Sequence, residues 1–426
     1  MTSASFRVES PLRARHDEYA RSETARRAST VEAGRGVAEG SHIAEVLWIP
    51  WGETAEIVGM FDRVETEYAA IRKGAALCDQ PQRATIEVRG VDRVEFLQRM
   101  LTQDLKGLSA GSVRESFWLN RKGRIEGDLL VCELGDRIVI DCAGAVADHI
   151  ATTLSQFVFA EDVAIENTTA RVYRIAVHGP DAIKLLELAG ANATDLEKLN
   201  AVHTCVSTAI AGSSCILARA DRCGECGIEI FVARDQVLSM WNALLAVHDL
   251  LQGGHRRGRP CGWSAFNMAR IEAGSPMFEI DFGTSSLPHE TGLVDLRVSF
   301  TKGCYLGQEI VARMHSLGKP KQIVRAFRME SSTLPVEGTQ VFASGSDGSI
   351  GDAIGVVTSS TMSPMLGAAC IGFATIRFAT SSPGTQLIIG ADGSPERAVV
   401  QGELAFVGTS VGTSVRTKSQ GPGRKE

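Results

Sequence analysis

Alternation of apolar and polar residues at period two marks out the strands of this chain, and apolar residues at helical spacing mark the segments between them. Residues 84–91, ATIEVRGV, alternate like a half-buried strand. The following DRVEFLQRMLTQDL places Val94, Leu97, Met100 and Leu101 on one helical face, with Asp92 as its N-cap. RIEGDLLVCELGDRIVIDC reads as two strands turning at Gly135 and Asp136. In RVYRIAVHGPDAIKLLELAG strand, turn and helix follow in order, with Pro180 in the first helical turn and Gly190 near the end. CGIEIFVARDQVLSMWNALLAVHDLL repeats that order. Hairpins mixed with packed helices predict an α+β domain rather than a strictly parallel sheet.

After Lys321 the pattern changes to short β-prone runs separated by Gly, Ser and Pro, among them IVRAFRME, TQVFAS, AACIGFATIRF and TQLIIG. These predict a separate small β-barrel or sandwich. The expected division is a mobile arm over residues 1–45, a core over 46–325, a barrel over 326–410 and a disordered tail over 411–426. The core divides again near residue 170. Within the arm, LRARHDEYARSETARRA has the makings of a marginal surface helix only.

Composition narrows the function classes. The 426 residues are 44% hydrophobic and 22% charged, which is ordinary for a globular protein. With 44 Lys plus Arg against 50 Asp plus Glu, the net charge of -6 offers no general attraction to nucleic acid or to an anionic membrane. No apolar run approaches the roughly 20 residues of a spanning helix, and the first residues lack a secretory apolar core. A cytoplasmic protein is expected. The Arg- and Ser-rich start makes the mitochondrial matrix the alternative, against which Glu9, Asp17, Glu18 and Glu23 count.

Ten cysteines at irregular spacing are expected to be reduced, with Cys132, Cys142, Cys205 and Cys215 as small core residues. Cys223 and Cys226 form one CxxC pair with no second pair to complete a zinc site, so no metal centre is expected. Cys304 stands apart, in FTKGCYLGQEIVARMHSLGKP. Gly303 and Gly307 free its backbone, and a helix with Ile310, Val311 and Met314 on one face follows, stopped by Gly318. A thiol ahead of a helix and two residues from Lys302 is in a setting that favours the thiolate, though a turn cysteine fits the same residues. The strand carboxylates Glu126, Asp128, Glu133 and Glu229 carry no local mark of catalysis. Phosphate-loop, nucleophile-elbow and dinucleotide fingerprints are absent from the sequence.

KGCYLGQE resembles the KGCYxGQE signature of the folate-binding YgfZ family, relatives of the glycine-cleavage T-protein. ARIEAGSPMFEIDFGTSSLPHETGL, LNRKGRIEGDLLV and IAVHGPDA are similar to further stretches of that superfamily, and GVVTSSTMSPMLGAACIGFA to its terminal barrel. The resemblance implies an α+β core around a central channel for tetrahydrofolate, plus a small antiparallel β-barrel. It implies Glu229 as the carboxylate holding the pterin, with Asn120, Asp128, Asp141 and Arg270 completing the folate set. An ungapped alignment puts the transferases' catalytic hairpin aspartate on Gly127, their pocket arginine on Phe266 and a pocket asparagine on Asp141. Asp128 would then point to the opposite strand face. The expected function is a tetrahydrofolate-binding accessory protein for iron–sulfur cluster assembly or repair, working with client or assembly proteins, and not a typical aminomethyltransferase. Cys304 is its expected working thiol, with Lys302, Gly303, Gly307, Gln308, Glu309 and Arg313 around it. The alternative is a tetrahydrofolate-dependent one-carbon transferase using Asp128 or Asp141.

Overall fold

A computed structural model of the protein describes residues 8–32, 45–251, 258–391 and 394–408. Two sheets form the core. An antiparallel sheet of five strands runs in the order Val113–Leu119, Ile125–Glu133, Arg137–Ala143, Arg83–Arg89, Ala164–Asn167. A sheet of six runs Cys205–Ile210, Ser213–Arg219, Gly227–Ala233, Val172–His178, Ala75–Asp79, Gly258–Pro260, and in it the last pair is parallel. The Gly135 turn takes φ 99°, the left-handed conformation that the hairpin reading required.

Period two sorts each strand between two layers. On the five-stranded sheet Ala84, Ile86, Ile138, Ile140, Leu129 and Val131 face outward under the helices Arg93–Met100 and Ala147–Ser155. On the six-stranded sheet Tyr173, Ile175, Val177, Ile228, Ile230 and Val232 face the helices Ala182–Leu188 and Val237–Ala246. The alternate residues of both sheets turn inward toward each other. Val113, Leu130, Cys132, Val139, Ala218 and Phe231 form a small apolar plug there, and the charged residues of the next section lie on the same faces.

Two local expectations need correction. Asp92 precedes the helix Arg93–Met100 but makes no side-chain cap; its Oδ2 accepts from Asp162 N at 2.9 Å, tying helix to loop. The arm is a helix over Arg13–Glu32, and not a marginal one. Leu12 and His16 are fully buried, and Asp79 accepts hydrogen bonds from Ser10 and Tyr173 while facing His16 Nε2 at 2.9 Å. These contacts lie in the six-stranded sheet, too far along the chain for local patterning to show them. The tail at 411–426 lies outside the described residues.

The strands from Gln322 to Val400 close a six-stranded antiparallel barrel. Its seam with the core joins an apolar cluster, in which Ile271 meets Val324, Ala326, Ile371 and Phe373, to a set of buried polar contacts. Arg270 Nη1 donates to Asp281 at 2.7 Å, and Asp281 accepts from Thr358 and Ser359 of the barrel at 2.7 and 2.6 Å. Glu272 accepts from Tyr68 and Arg72, each at 2.6 Å, and from Ser363. Arg270, expected in the folate set, is fully buried in this seam. Among the described residues no helix is long and apolar enough to cross a membrane.

Candidate functional site

The inward face of the sheets carries a band of ion pairs. Asp141 accepts Arg83 Nε at 3.1 Å and Nη2 at 2.6 Å, pairs with Arg174 Nη1, and meets Arg222 Nη2 at 3.3 Å. Glu229 accepts Arg174 Nη2 at 2.6 Å and Arg222 Nε at 3.1 Å. Burial opposes ionisation of both carboxyls, but the Arg174 guanidinium, with Arg83 and Arg222 around Asp141 and Arg222 beside Glu229, overrides it and holds them below the usual range. Both carboxylates are therefore charged acceptors whose oxygens are already engaged. The resemblance implied Glu229 as a pterin contact; in the fold it is buried, with one guanidinium bond on each oxygen. Sequence reasoning missed Arg83, Arg174 and Arg222. The available signal was an arginine in the middle of the apolar run VYRIAVH, where an unpaired buried charge would be prohibitive.

Asp128 lies in the same layer. It pairs across the sheet with Phe117, an interior residue, whereas Gly127 pairs with Trp118 under the helices. A Cβ at Gly127 would stand 2.6 Å from Ile150 Cδ1 on Ala147–Ser155, so glycine there makes room for the helix. Residues 127 and 128 do face opposite ways, and the interior position is Asp128. Arg297 Nε donates to Asp128 Oδ1 at 2.9 Å and its Nη1 to Glu115 at 2.5 Å. Burial opposes charge on Glu115, and Arg297 outweighs it. Oδ2 of Asp128 has no bond to any described residue.

Beside the band a cleft of about 40 Å³ opens, lined by Gln82, Arg83, Arg222, Trp263, Phe266 and Met277. The Trp263 and Phe266 rings are 5.8 Å apart and 32° from parallel, and Gln82 Oε1 is buried without a partner. Two aromatic faces and an unused acceptor suit a ring carrying N–H groups, so this wall fits a folate in its chemistry, and a whole pterin needs side chains to move. Behind Phe266, at 5.2 Å between rings, both His178 nitrogens are buried without partners, and burial lowers its pKa toward the neutral form.

The cysteine loop lies elsewhere in the fold and proves to be tightly built. Of the ten cysteines nine are buried, Cys223 and Cys226 included, and Cys304 is exposed. Among the described residues no group of three His, Cys, Asp or Glu is placed to hold a metal ion. Lys302 does not serve the thiol. Its ammonium donates to the carbonyls of Gln98, Leu101 and Gln103 at 2.5, 2.7 and 3.0 Å, closing the end of helix Arg93–Met100, and burial pushes it down to about 8. Glu309 and Arg313 are exposed on the helix Gln308–Leu317, and Gln308 N caps onto Tyr305 O.

Gly307 takes φ 79°, and a Cβ there would stand 2.7 Å from Asn120 O. The hairpin turn at Asn120 to Gly123 thus rests on this loop. Asn120 Oδ1 accepts from Lys122 N and Arg124 N at 2.9 and 3.2 Å, so the residue shapes that turn. Gly307→Ala is expected to cost about 1–3 kcal/mol in urea unfolding, from the left-handed backbone and the close approach. Gly303→Ala, with nothing within 4 Å of its Cβ, should be near neutral.

Phe300 stacks on His315 at 3.7 Å, and His289 lies 6.0 Å from each, tying the loop to the turn Pro288–Glu290. Burial, with His315 adding to it, pushes His289 down to about 4. A depressed histidine contributes stability that is present above its unfolded pKa near 6.5 and is lost as pH falls toward 4. Urea midpoints of wild type should therefore fall more between pH 6.5 and 4 than those of His289→Gln.

Two packed sheets followed by a six-stranded antiparallel barrel define the architecture of the chain. The GCVT N-terminal domain matches residues 34–302, and the glycine cleavage T-protein C-terminal barrel domain matches residues 321–407. The chain belongs to the glycine-cleavage T-protein family. It is 28% identical over 344 residues to the aminomethyltransferase of Caldanaerobacter subterraneus subsp. tengcongensis, covering 80% of this chain and 87% of that one. With the aminomethyltransferase of Pseudothermotoga lettingae it shares 30% over 312 residues, covering 72% and 80%. The crystal structure of glycine cleavage system aminomethyltransferase T from Bartonella henselae superposes with a TM-score of 0.75 at 21% identity, covering 86% of this chain and 95% of that one.

Proposed function

We propose that the protein is a tetrahydrofolate-dependent one-carbon transferase, with Asp128 as the carboxylate that receives the substrate amine. The observation that carries this reading is the placement of Asp128: it faces the interior, is held through Oδ1 by Arg297, and leaves Oδ2 free to accept an N–H. Arg297, shared with Glu115, holds Asp128 in one orientation through Oδ1. Tetrahydrofolate, when bound, supplies the acceptor nitrogen for the one-carbon unit, and Trp263, Phe266 and Gln82 are the residues that would hold its ring system. The test is formation of methylene- or methyltetrahydrofolate from aminomethyl and N-methyl donors by the purified protein, followed by mass spectrometry. No folate product with any such donor would refute the proposal.

A second reading, an accessory role in iron–sulfur cluster assembly or repair in the cytoplasm, has one observation in its favour. Cys304 is the exposed cysteine, ahead of Gln308–Leu317 and three residues before Gly307, which packs against the turn at Asn120. One thiol leaves a four-thiolate cluster three ligands short, so a partner protein would have to supply them. Restored activity of an iron–sulfur enzyme in a deficient strain, lost with Cys304→Ala, supports this reading; equal rescue by the variant removes it.

A further inference from the structure

The strands Leu47–Trp51 and Ala55–Met60 make a two-stranded sheet of their own, bonded among the described residues to neither main sheet. A hairpin that stands alone is marginal in water, so what holds it down decides where it sits. This one walls the cleft, to which it contributes Ile57 and Val58. Its outgoing end is pinned, because Glu67 Oε1 accepts from Phe61 N and Asp62 N at 2.7 and 2.8 Å. Toward the cleft the Trp51 ring meets Trp263 edge-on at 4.8 Å, and Trp51 Nε1 donates to Glu279 at 3.1 Å. The other side is held by the arm. Val8 N donates to Thr54 O at 2.8 Å and Val8 O accepts from Glu56 N at 3.3 Å, while Arg13 pairs with Glu56 and lies 4.5 Å over the Trp48 ring. The arm in turn is anchored to the core at one buried carboxylate. Asp79 accepts from Ser10 and faces His16 Nε2 at 2.9 Å, and the His16 ring lies 4.8 Å from that of Trp241. Arg15 Nε on Asn242 at 2.6 Å is a second tie, on the surface. Residues 8–32 lie ahead of the matched domain at 34–302, so the brace comes from outside that domain and the hairpin lies within it. At about 40 Å³ the cleft behind the hairpin is smaller than any ring system that its aromatic wall suits.

We infer that the arm is a strap over the hairpin, and that release of Ser10 and His16 from Asp79 frees residues 47–60 to swing on Phe61 and Asp62 and open the cleft. Loss of these two partners leaves the Asp79 carboxylate with Tyr173, and water reaches it when the arm lifts, so the opening is local. The strap rests on these contacts; that it regulates ligand entry rests on the folate reading of the cleft. Hydrogen exchange and iodoacetamide alkylation of the full-length protein, both read by mass spectrometry without ligand, test the strap. In the double variant Ser10→Ala, His16→Leu, exchange over 47–60 and alkylation of Cys78 and Cys261, which line the cleft, should each rise by roughly tenfold or more, as for a charged hydrogen bond lost. Cys132 and Cys142, buried on the five-stranded sheet, should stay within about twofold of their wild-type rates. Wild type carries the same test without substitution. Its arm amides over 13–25 and its hairpin amides should share one opening equilibrium, and open more readily than those of Val172–His178. Faster exchange in the arm with an unchanged hairpin, a wild-type hairpin that exchanges with the core strands, or all four cysteines speeding together would overturn the strap. Tetrahydrofolate added to the same alkylation separates the two readings: failure to slow Cys78 and Cys261 in either protein would count against the folate reading of the cleft, and the ligand-free rates would still decide the strap.

Discussion

Asp128→Asn is expected to lower one-carbon transfer by roughly 10²–10⁴-fold in kcat, the range lost when a positioned acid–base group is removed, with little change in thermal stability. The amide keeps an oxygen for the Arg297 Nε bond at Oδ1, and Arg297 retains Glu115, so the local frame survives. What disappears is the negative charge at Oδ2. A matched loss in kcat and kcat/KM, with donor affinity unchanged, identifies an interaction made in the transition state. A variant with full activity would move the chemistry away from this strand.

Arg174→Met is expected to be the most damaging single change to stability, about 3–5 kcal/mol in urea unfolding, because it leaves buried carboxylates short of a partner. Arg174 bridges Asp141 and Glu229 and lies 3.9 Å from the Phe231 ring centroid, with no side-chain exposure. Arg83 and Arg222 remain to Asp141, but Glu229 keeps Arg222 alone. The same band sets an acid limit. Both carboxyls are held below their unfolded values, so their contribution is present above the normal carboxyl range and is lost as pH falls through the lowered folded values. A loss below about 1 kcal/mol would show that the pairing is not what holds the two sheets together.

The elements were largely legible in the chain, and the site only partly. Period two correctly set the hairpin at Gly135, and the Gly- and Ser-spaced runs after Lys321 announced the barrel. It also placed residues 127 and 128 on opposite faces. It could not say which face was the interior, because helices cover one side and a second sheet the other, and both are buried. An alignment without structure therefore gave weight to Gly127, whose real constraint is Ile150 above it. Lys302 misled for a related reason. Two residues from Cys304 in sequence, it reaches in the fold to carbonyls some 200 residues away, a contact that local spacing does not encode. Arg83, Arg174 and Arg222 come from three separate strands or loops, and only the folding of one sheet over the other gathers them. The helix Arg13–Glu32 was underrated because its buried partner, Asp79, belongs to the core.

The most direct measurement is the rate of tetrahydrofolate-dependent one-carbon transfer by Cys304→Ala beside that of Asp128→Asn, with the same donor and folded protein in both cases. Near wild-type turnover by the cysteine variant and a loss of at least 100-fold by the aspartate variant is the predicted result. Turnover abolished by Cys304→Ala and untouched by Asp128→Asn would contradict it.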